Sequence, residues 1–561
     1  MKLKMKKFNE ITIYQLIVLV ILLAGCEKDT NETNFQETPI NFFWKDNYQF
    51  EKTTPLDINF PEHVGDEIII GNGTPESITR QDIQDALDVG GKIIFDTGGE
   101  SVTVYIDQTL VVKKHGTVIN GGGLITFDAK RERRLIYSVP AHHSINPNRE
   151  NKTLNWMIEG IIFRNGKTTG GSLSGDAPNF NNNDGSGNNG QAGSGAAIWS
   201  GLWNQCFIKN CHFYDNQTKQ LQSGEEVGGG AVYSRGGSNS VLVISDSYFE
   251  NNKGSIGGAV NNLFTNLTIT RSIFINNQSS DSGSAIYTDG GAQDANRENP
   301  ERFIKIHASV FHGNIGNRQG GAVFAYVYGG TVTATECIFE KNECRSDGLG
   351  GALRTGNGYS EIKRCSFIGN LAYSQGGALW VGENKNYSSL IQNCTFYQNL
   401  TQQPEDTASG LGGAISVAGG PARIVNTTIA HNKAHQGAGV FGEAAYKFQN
   451  SIFSNNYATN SWGASYNLFS GSSFINQGGN IQWLSPNTSS DQLHAMQNVD
   501  AIDPLLESSL TREEGFTPVL RLKADSPAKG KGDFNNNAPS VDQLGKSRGE
   551  RNDAGAYQLY Q

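Results

Sequence analysis

Two short patterns alternate along the middle of this chain, and they constrain its fold more than anything else in it. The first is Gly-Gly-Ala-apolar, whole or degenerate. It stands at Gly195–Ile198, Gly229–Val232, Gly257–Val260, Gly283–Ile286, Gly320–Val323, Gly350–Leu353, Gly376–Leu379 and Gly412–Ile415, with a worn copy at Gly437–Val440. The second is aromatic-x-x-Asn, at Phe213/Asn216, Phe249/Asn252, Phe274/Asn277, Phe311/Asn314, Phe339/Asn342, Phe367/Asn370, Phe396/Asn399 and Phe453/Asn456, with Ile429/Asn432 as a variant. Successive copies of the second pattern lie 24 to 37 residues apart. The intervals hold short period-two stretches divided by Gly and Asn turns, with no helical period between them. Such a unit cannot bury its apolar side chains alone; stacked copies can, at the parallel-strand spacing of about 4.8 Å. The fold class that follows is all-β: a single-stranded right-handed parallel β-helix solenoid. Variable spacing suits it, because insertions emerge as loops. Propeller blades need about 40 or more residues and horseshoes need a Leu framework, and neither pattern is present.

Two inward columns are expected. Small residues recur two places before the aromatic, at Cys211, Ser247, Ser272, Ser309, Cys337, Cys365, Cys394, Thr427 and Ser451. Period two puts them on the same face as the aromatics. The Asn residues tolerate left-handed backbone and can bond neighbouring backbone, so they read as a structural ladder rather than as ligands. The column cysteines read as buried thiols filling space rather than as disulfides. No C-x-x-C pair occurs, which argues against zinc.

A solenoid needs capped ends. Residues 65–150 are expected to hold an N-terminal cap and the first coils, 151–480 the repeats, and 481–561 a C-terminal capping segment. The cap is predicted to open with a helix over Ser77–Leu87, Ser77 being its N-cap. Ahead of it, residues 1–25 read as a signal segment: Lys2, Lys4, Lys6 and Lys7, then an apolar run from Ile11 to Ala24, too short to span a bilayer with confidence. Leu23-Ala24-Gly25-Cys26 resembles the lipobox of bacterial lipoproteins. That resemblance implies a lipid on Cys26 and an outer-membrane location, at the cell surface or the periplasmic face, with membrane contact through the lipid alone. Residues 26–64 are polar and mixed and read as a tether.

The net charge of −9 argues against a nucleic-acid partner, which calls for a basic face. It leaves room for an acidic polysaccharide met by a local cation, since surface fields fade over roughly 10 Å. The residue after each Gly-Gly-Ala-apolar unit should point outward. Down the coils it is Trp199, Tyr233, Asn261, Tyr287, Phe324, Arg354, Trp380, Ser416 and Phe441. Two places on come Arg235, Asp289, Tyr326 and Glu443, with Trp203 and Tyr328 just beyond. The expectation is a solvent-facing aromatic stripe holding one Arg. Sugar rings stack on aromatic faces and Arg pairs with carboxylate or sulfate, so Trp199, Tyr233, Phe324, Trp380 and Tyr328 are the candidate substrate-binding residues.

Two chemistries compete. A lyase needs a base for the proton α to a uronate carboxylate and a positive group for the charge that develops. Arg354, Tyr326, Tyr287 and Arg235 are the candidates, with Asp289 as a possible Ca²⁺ ligand. A glycosidase needs two carboxyl groups about 5 to 9.5 Å apart, whereas Asp289, Glu383 and Glu443 are scattered. His307 and His312 read as surface residues of another face. The Asn-, Asp- and Gly-rich loop from Asp176 to Gly195 offers oxygens to Ca²⁺ but reads first as an insertion.

The repeats resemble those of polymorphic outer-membrane adhesins, which leaves a non-catalytic adhesin reading open. The helix-then-strands opening and the closing Asp553-Ala554-Gly555-Ala556-Tyr557 segment resemble the pectate-lyase-like β-helix superfamily. That resemblance implies β-elimination on an acidic uronate polymer such as pectate, alginate or ulvan. The chain is expected to act as a monomer. Glycoside hydrolysis stays as a third reading.

Overall fold

The computed structural model describes residues 48–138, 154–168, 193–201, 204–219, 227–236, 240–290, 301–382, 386–402, 409–442, 446–460, 468–470, 474–484, 496 and 498–560. The signal segment with Cys26, most of the Asp176–Gly195 loop, Trp203, Glu383 and Glu443 lie outside the described residues.

Every strand of the solenoid pairs parallel with its equivalent one coil away, and the strands form four ladders. In one coil they are Val323–Tyr326, Thr331–Thr335, Ile338–Glu340 and Glu343–Cys344. In the next they are Leu353–Gly356, Tyr359–Lys363, Ser366–Ile368 and Leu371–Ala372, each in register with the strand before. The first ladder begins at Leu110–Val112 and continues to Leu468–Ser470. The Gly-Gly pairs turn the chain into it. Gly320 has φ +62°, and a Cβ there would run into the Val323 carbonyl; a Cβ on Gly321 would meet the Gly351 carbonyl one coil on.

Both inward columns form. From Phe163 to Phe396 the rings stack with centroids 4.5 to 5.1 Å apart and planes within 8°. Beside them runs the Asn ladder. Asn342 donates its backbone N–H and its Nδ2 to Asn370 Oδ1, both at 3.0 Å, and its Nδ2 to the Phe311 carbonyl at 2.9 Å. The left-handed backbone falls one residue earlier than expected, at Asn251, Asn276, Lys341 and His431 (φ 53–58°), and so frees the ladder Asn to point inward.

The six described cysteines are buried free thiols. Burial pushes the Cys211 thiol from 9.0 up to about 12 and raises Cys206, Cys344, Cys365 and Cys394 too. In native protein at pH 8 these thiols should resist a thiol reagent and all react after unfolding. Rapid native labelling would show that the barrel opens. The unfolded thiol ionises near 9.0 and the native one does not. Native stability should therefore fall as pH rises from about 9 towards 12, where the native thiol also ionises.

The cap helix runs Arg80–Val89, and its N-cap is Thr79, not Ser77. Thr79 and Asp82 form a reciprocal capping box, while Ser77 ends a preceding 3₁₀ turn (Pro75–Ser77). Ile83 and Leu87 close the core end.

Two segments depart from expectation. Residues 48–64 are no free tether: they lie along the outside of the barrel. Ile58 and Phe60 pack on Met157, Phe207 and Val243, and Thr54 bonds Glu336 and His307. The ladders also run past 480, to Ile481–Leu484 and Asp500–Ala501. Beyond them the C-terminal segment folds back along the flank instead of only closing the end. Leu510 and Leu520 cover Ile368 and Tyr397, Gln543 bonds Thr395 and Ser366, and Phe516 meets Phe50 at 5.0 Å. Strap and tail together remove an outward apolar stripe (Tyr248, Ile273, Val310, Ile338) from water.

Candidate functional site

The outward column has the expected register. Tyr137, Trp199, Tyr233, Asn261, Tyr287, Phe324, Arg354, Trp380, Ser416 and Phe441 are successive partners in the first ladder. Its exposure is not as expected. Trp199, Tyr233, Phe324, Arg354 and Trp380 are each at most 5% exposed, while Tyr287 and Phe441 are half-buried. Side chains one strand spacing apart cover each other's faces, and Gln319 and Gln375 reach the line from the turns. Asn261, itself buried, divides it. On one side Tyr137, Trp199 and Tyr233 form a stack of their own, with centroids 5.0 and 5.8 Å apart. On the other side is the Arg354 cluster.

Arg354 is built into this cluster from three coils. Its guanidinium lies 5.1 Å from the Phe324 ring, 4.8 Å from Tyr326 and 4.6 Å from Trp380. Nη2 donates to the Tyr326 hydroxyl at 2.7 Å, and Nη1 donates to Gln319 Oε1. Burial lowers its pKa to about 10, which leaves it a cation at neutral pH. Tyr287 stacks on Phe324 at 4.6 Å and 4°. Tyr328 stands edge-on to Tyr326 at 6.4 Å, half-buried. Asp289 is the register neighbour of Tyr326 and is also half-buried.

Gly356 makes the Tyr326–Arg354 contact possible. It follows Tyr326 in the ladder, and a Cβ on it would collide with the Tyr326 ring, with Cζ only 3.1 Å away. Its φ is not in the left-handed region, so it is space and not backbone geometry that calls for glycine here.

Of the expected site residues, Arg354, Tyr326, Tyr287, Phe324, Trp380 and Tyr328 come together. Arg235 does not. It precedes Tyr326 by three coils on the same line, about 14 Å at the strand spacing, and lies over Phe264. Trp199 and Tyr233 belong to the other stack. Among the described residues no three His, Cys, Asp or Glu side chains converge on one point. His307 and His312 lie under the strap and tail side, bonded to Thr54 and near Glu340.

The residues missed from sequence are Gln319 and Gln375. Each immediately precedes a Gly-Gly turn and reaches forward to the column; Gln375 accepts from Trp380 Nε1 at 3.3 Å and from Ser416 at 3.2 Å. A recurring Gln-Gly-Gly-Ala in place of Gly-Gly-Ala was the signal.

Residues 296–481 match the family model described as a right handed beta helix region, and residues 271–289 match the Chlamydia polymorphic membrane protein repeat. The chain is a right-handed parallel β-helix protein. No curated protein matches it. Among solved structures, that of pectate lyase Pel9A is similar over 84% of this chain and 88% of its own, at 11% identity and a TM-score of 0.28. Likeness at that level carries nothing about chemistry.

Proposed function

We propose that this protein is a polysaccharide lyase that cleaves an acidic, uronate-containing polymer by β-elimination. The reading is carried by the 2.7 Å contact between the Tyr326 hydroxyl and the Arg354 guanidinium, set in an aromatic wall on the outer face of the first ladder. A cation donating to a phenol oxygen lowers the phenol's pKa, so that more of it stands as the basic phenolate near neutral pH. Tyr326 takes the proton α to the uronate carboxylate, and Arg354 balances the negative charge that develops. The carbon–oxygen bond β to the carboxylate then breaks, its electron pair leaving on the glycosidic oxygen, which takes a proton from water. A carbon–carbon double bond remains on the new end. Tyr287, Asp289 and Tyr328, neighbours of this buried pair in the cluster, are partly exposed.

The test is incubation with pectate, alginate, ulvan and glycosaminoglycans, with Ca²⁺ and with chelator, following the ultraviolet absorbance of unsaturated ends. Absorbance growth with one polymer supports the reading; none with any polymer removes it. Tyr359, 44% exposed on the corner beyond the column, favours a second reading, a non-catalytic glycan-binding protein. It predicts polymer retention without product. Saturated reducing ends would instead indicate a hydrolase.

A further inference from the structure

Where the first ladder turns into the second, tyrosines gather on the outer corner. Tyr328 follows the strand Val323–Tyr326. One coil on, Tyr359 opens the strand Tyr359–Lys363; its N–H donates to the Gly330 carbonyl at 2.9 Å, and Gly329 donates to the Asn357 carbonyl at 2.9 Å. These bonds seat Tyr359 on the turn that carries Tyr328. The coils meet closely there, since a Cβ on Gly358 would strike the Val327 and Gly330 carbonyls. A coil further on, Tyr387 stands edge-to-face with Tyr359, centroids 5.1 Å apart and planes at 73°.

Exposure rises along this trail. Tyr326 is 8% exposed, Tyr328 and Tyr387 are half-buried, and Tyr359 is 44% exposed. The ladder does not ask for a ring at Tyr359: its register partner is Thr331, and a phenol left in water adds little to packing. Single exposed apolar residues need no explanation, but an exposed ring braced by a second ring, on the turn next to a buried aromatic cluster, does. A flat, amphipathic face of this kind takes the C–H face of a pyranose ring.

We propose that Tyr359 and Tyr387, continuing from Tyr328, form a stacking subsite for a pyranose unit of a linear polysaccharide, one remote from the unit at Tyr326 and Arg354. This rests on the reading of the protein as glycan-acting, and it adds the direction in which the polymer leaves the reacting pair: around the corner beyond Gly356.

The experiment is affinity electrophoresis of the full chain through gels containing pectate, alginate or ulvan, with unsaturated product assayed separately. Tyr359→Ala and Tyr387→Ala should each weaken retention by about tenfold, and Tyr359→Trp should keep it. Tyr457→Ala, which removes an exposed tyrosine from another face, should change nothing. Unchanged melting temperatures show that the variants are folded. No retention of the unaltered chain by any of the three polymers overturns the subsite, as does equal retention of Tyr359→Ala. Retention lost in the variants while no polymer yields product supports the subsite and removes only the lyase. Product formed at full rate and affinity by Tyr359→Ala does the reverse.

Discussion

Tyr326→Phe is expected to lower kcat on the degradable polymer by roughly 10² to 10⁴-fold, the range of a lost general base, while KM stays within a few-fold. The ring and its contacts with Phe324 and Arg354 remain, so stacking is preserved. What disappears is the oxygen that accepts Arg354 Nη2 at 2.7 Å. Unpairing that buried donor costs stability of about 1 to 3 kcal/mol, so the variant should still be folded at assay temperature. Steady-state kinetics beside a thermal melt separates the two effects. A folded variant with full activity would take the phenol out of the mechanism and leave the cluster a purely structural role. Arg354→Lys is a useful companion. It keeps a charge but loses the planar fork that reaches Tyr326 and Gln319 together and lies among three rings.

Asn342→Ala carries the largest expected cost in stability. The side chain is buried, and its Oδ1 accepts from both the backbone N–H and the Nδ2 of Asn314, at 3.1 and 2.9 Å. Its Nδ2 serves the Phe311 carbonyl and Asn370. Truncation removes four hydrogen bonds made to the coils on either side, and at about 1 to 3 kcal/mol for each group that finds no substitute, a loss of about 3 to 5 kcal/mol follows. Urea unfolding should show it as a lower midpoint. Because each coil contacts only its neighbours, amide exchange should quicken first in the coils around Asn314 and Asn370. A loss below about 1 kcal/mol would mean that water or a shifted backbone takes over these bonds, and that the ladder is not what holds the coils in register.

Much of this molecule was legible in its residues. The two repeats announced the stacked coils, the Phe and Asn columns and the buried cysteines. Period two, applied after each Gly-Gly-Ala, also gave the membership and order of the outward line from Trp199 to Phe441. The candidate cluster was legible only in part. That Arg354, Tyr326 and Phe324 lie together could be read because neighbours in adjacent coils follow from register alone. Gln319 and Gln375 were missed because they reach the cluster from the turn, across a corner that no strand period describes. Gly356 was missed because its role depends on a ring from the previous coil lying over it.

Solvent exposure was where the reading of residues failed, and in both directions. The aromatic line was expected to be wet and is buried; the segment 48–64 was expected to hang free and lies on the barrel. Ile338 and Ile368 sit at outward positions of their strands, where a polar residue would be expected. They are apolar because Phe516 and Leu520, some 150 residues or more further along the chain, fold back over them. The repeats by themselves determined which side chains share a column, because coil periodicity is local and each coil repeats the last. Only the tertiary structure decided which columns meet water, because strap, tail and turn residues reach those faces through contacts far apart in the chain, and no local period encodes them.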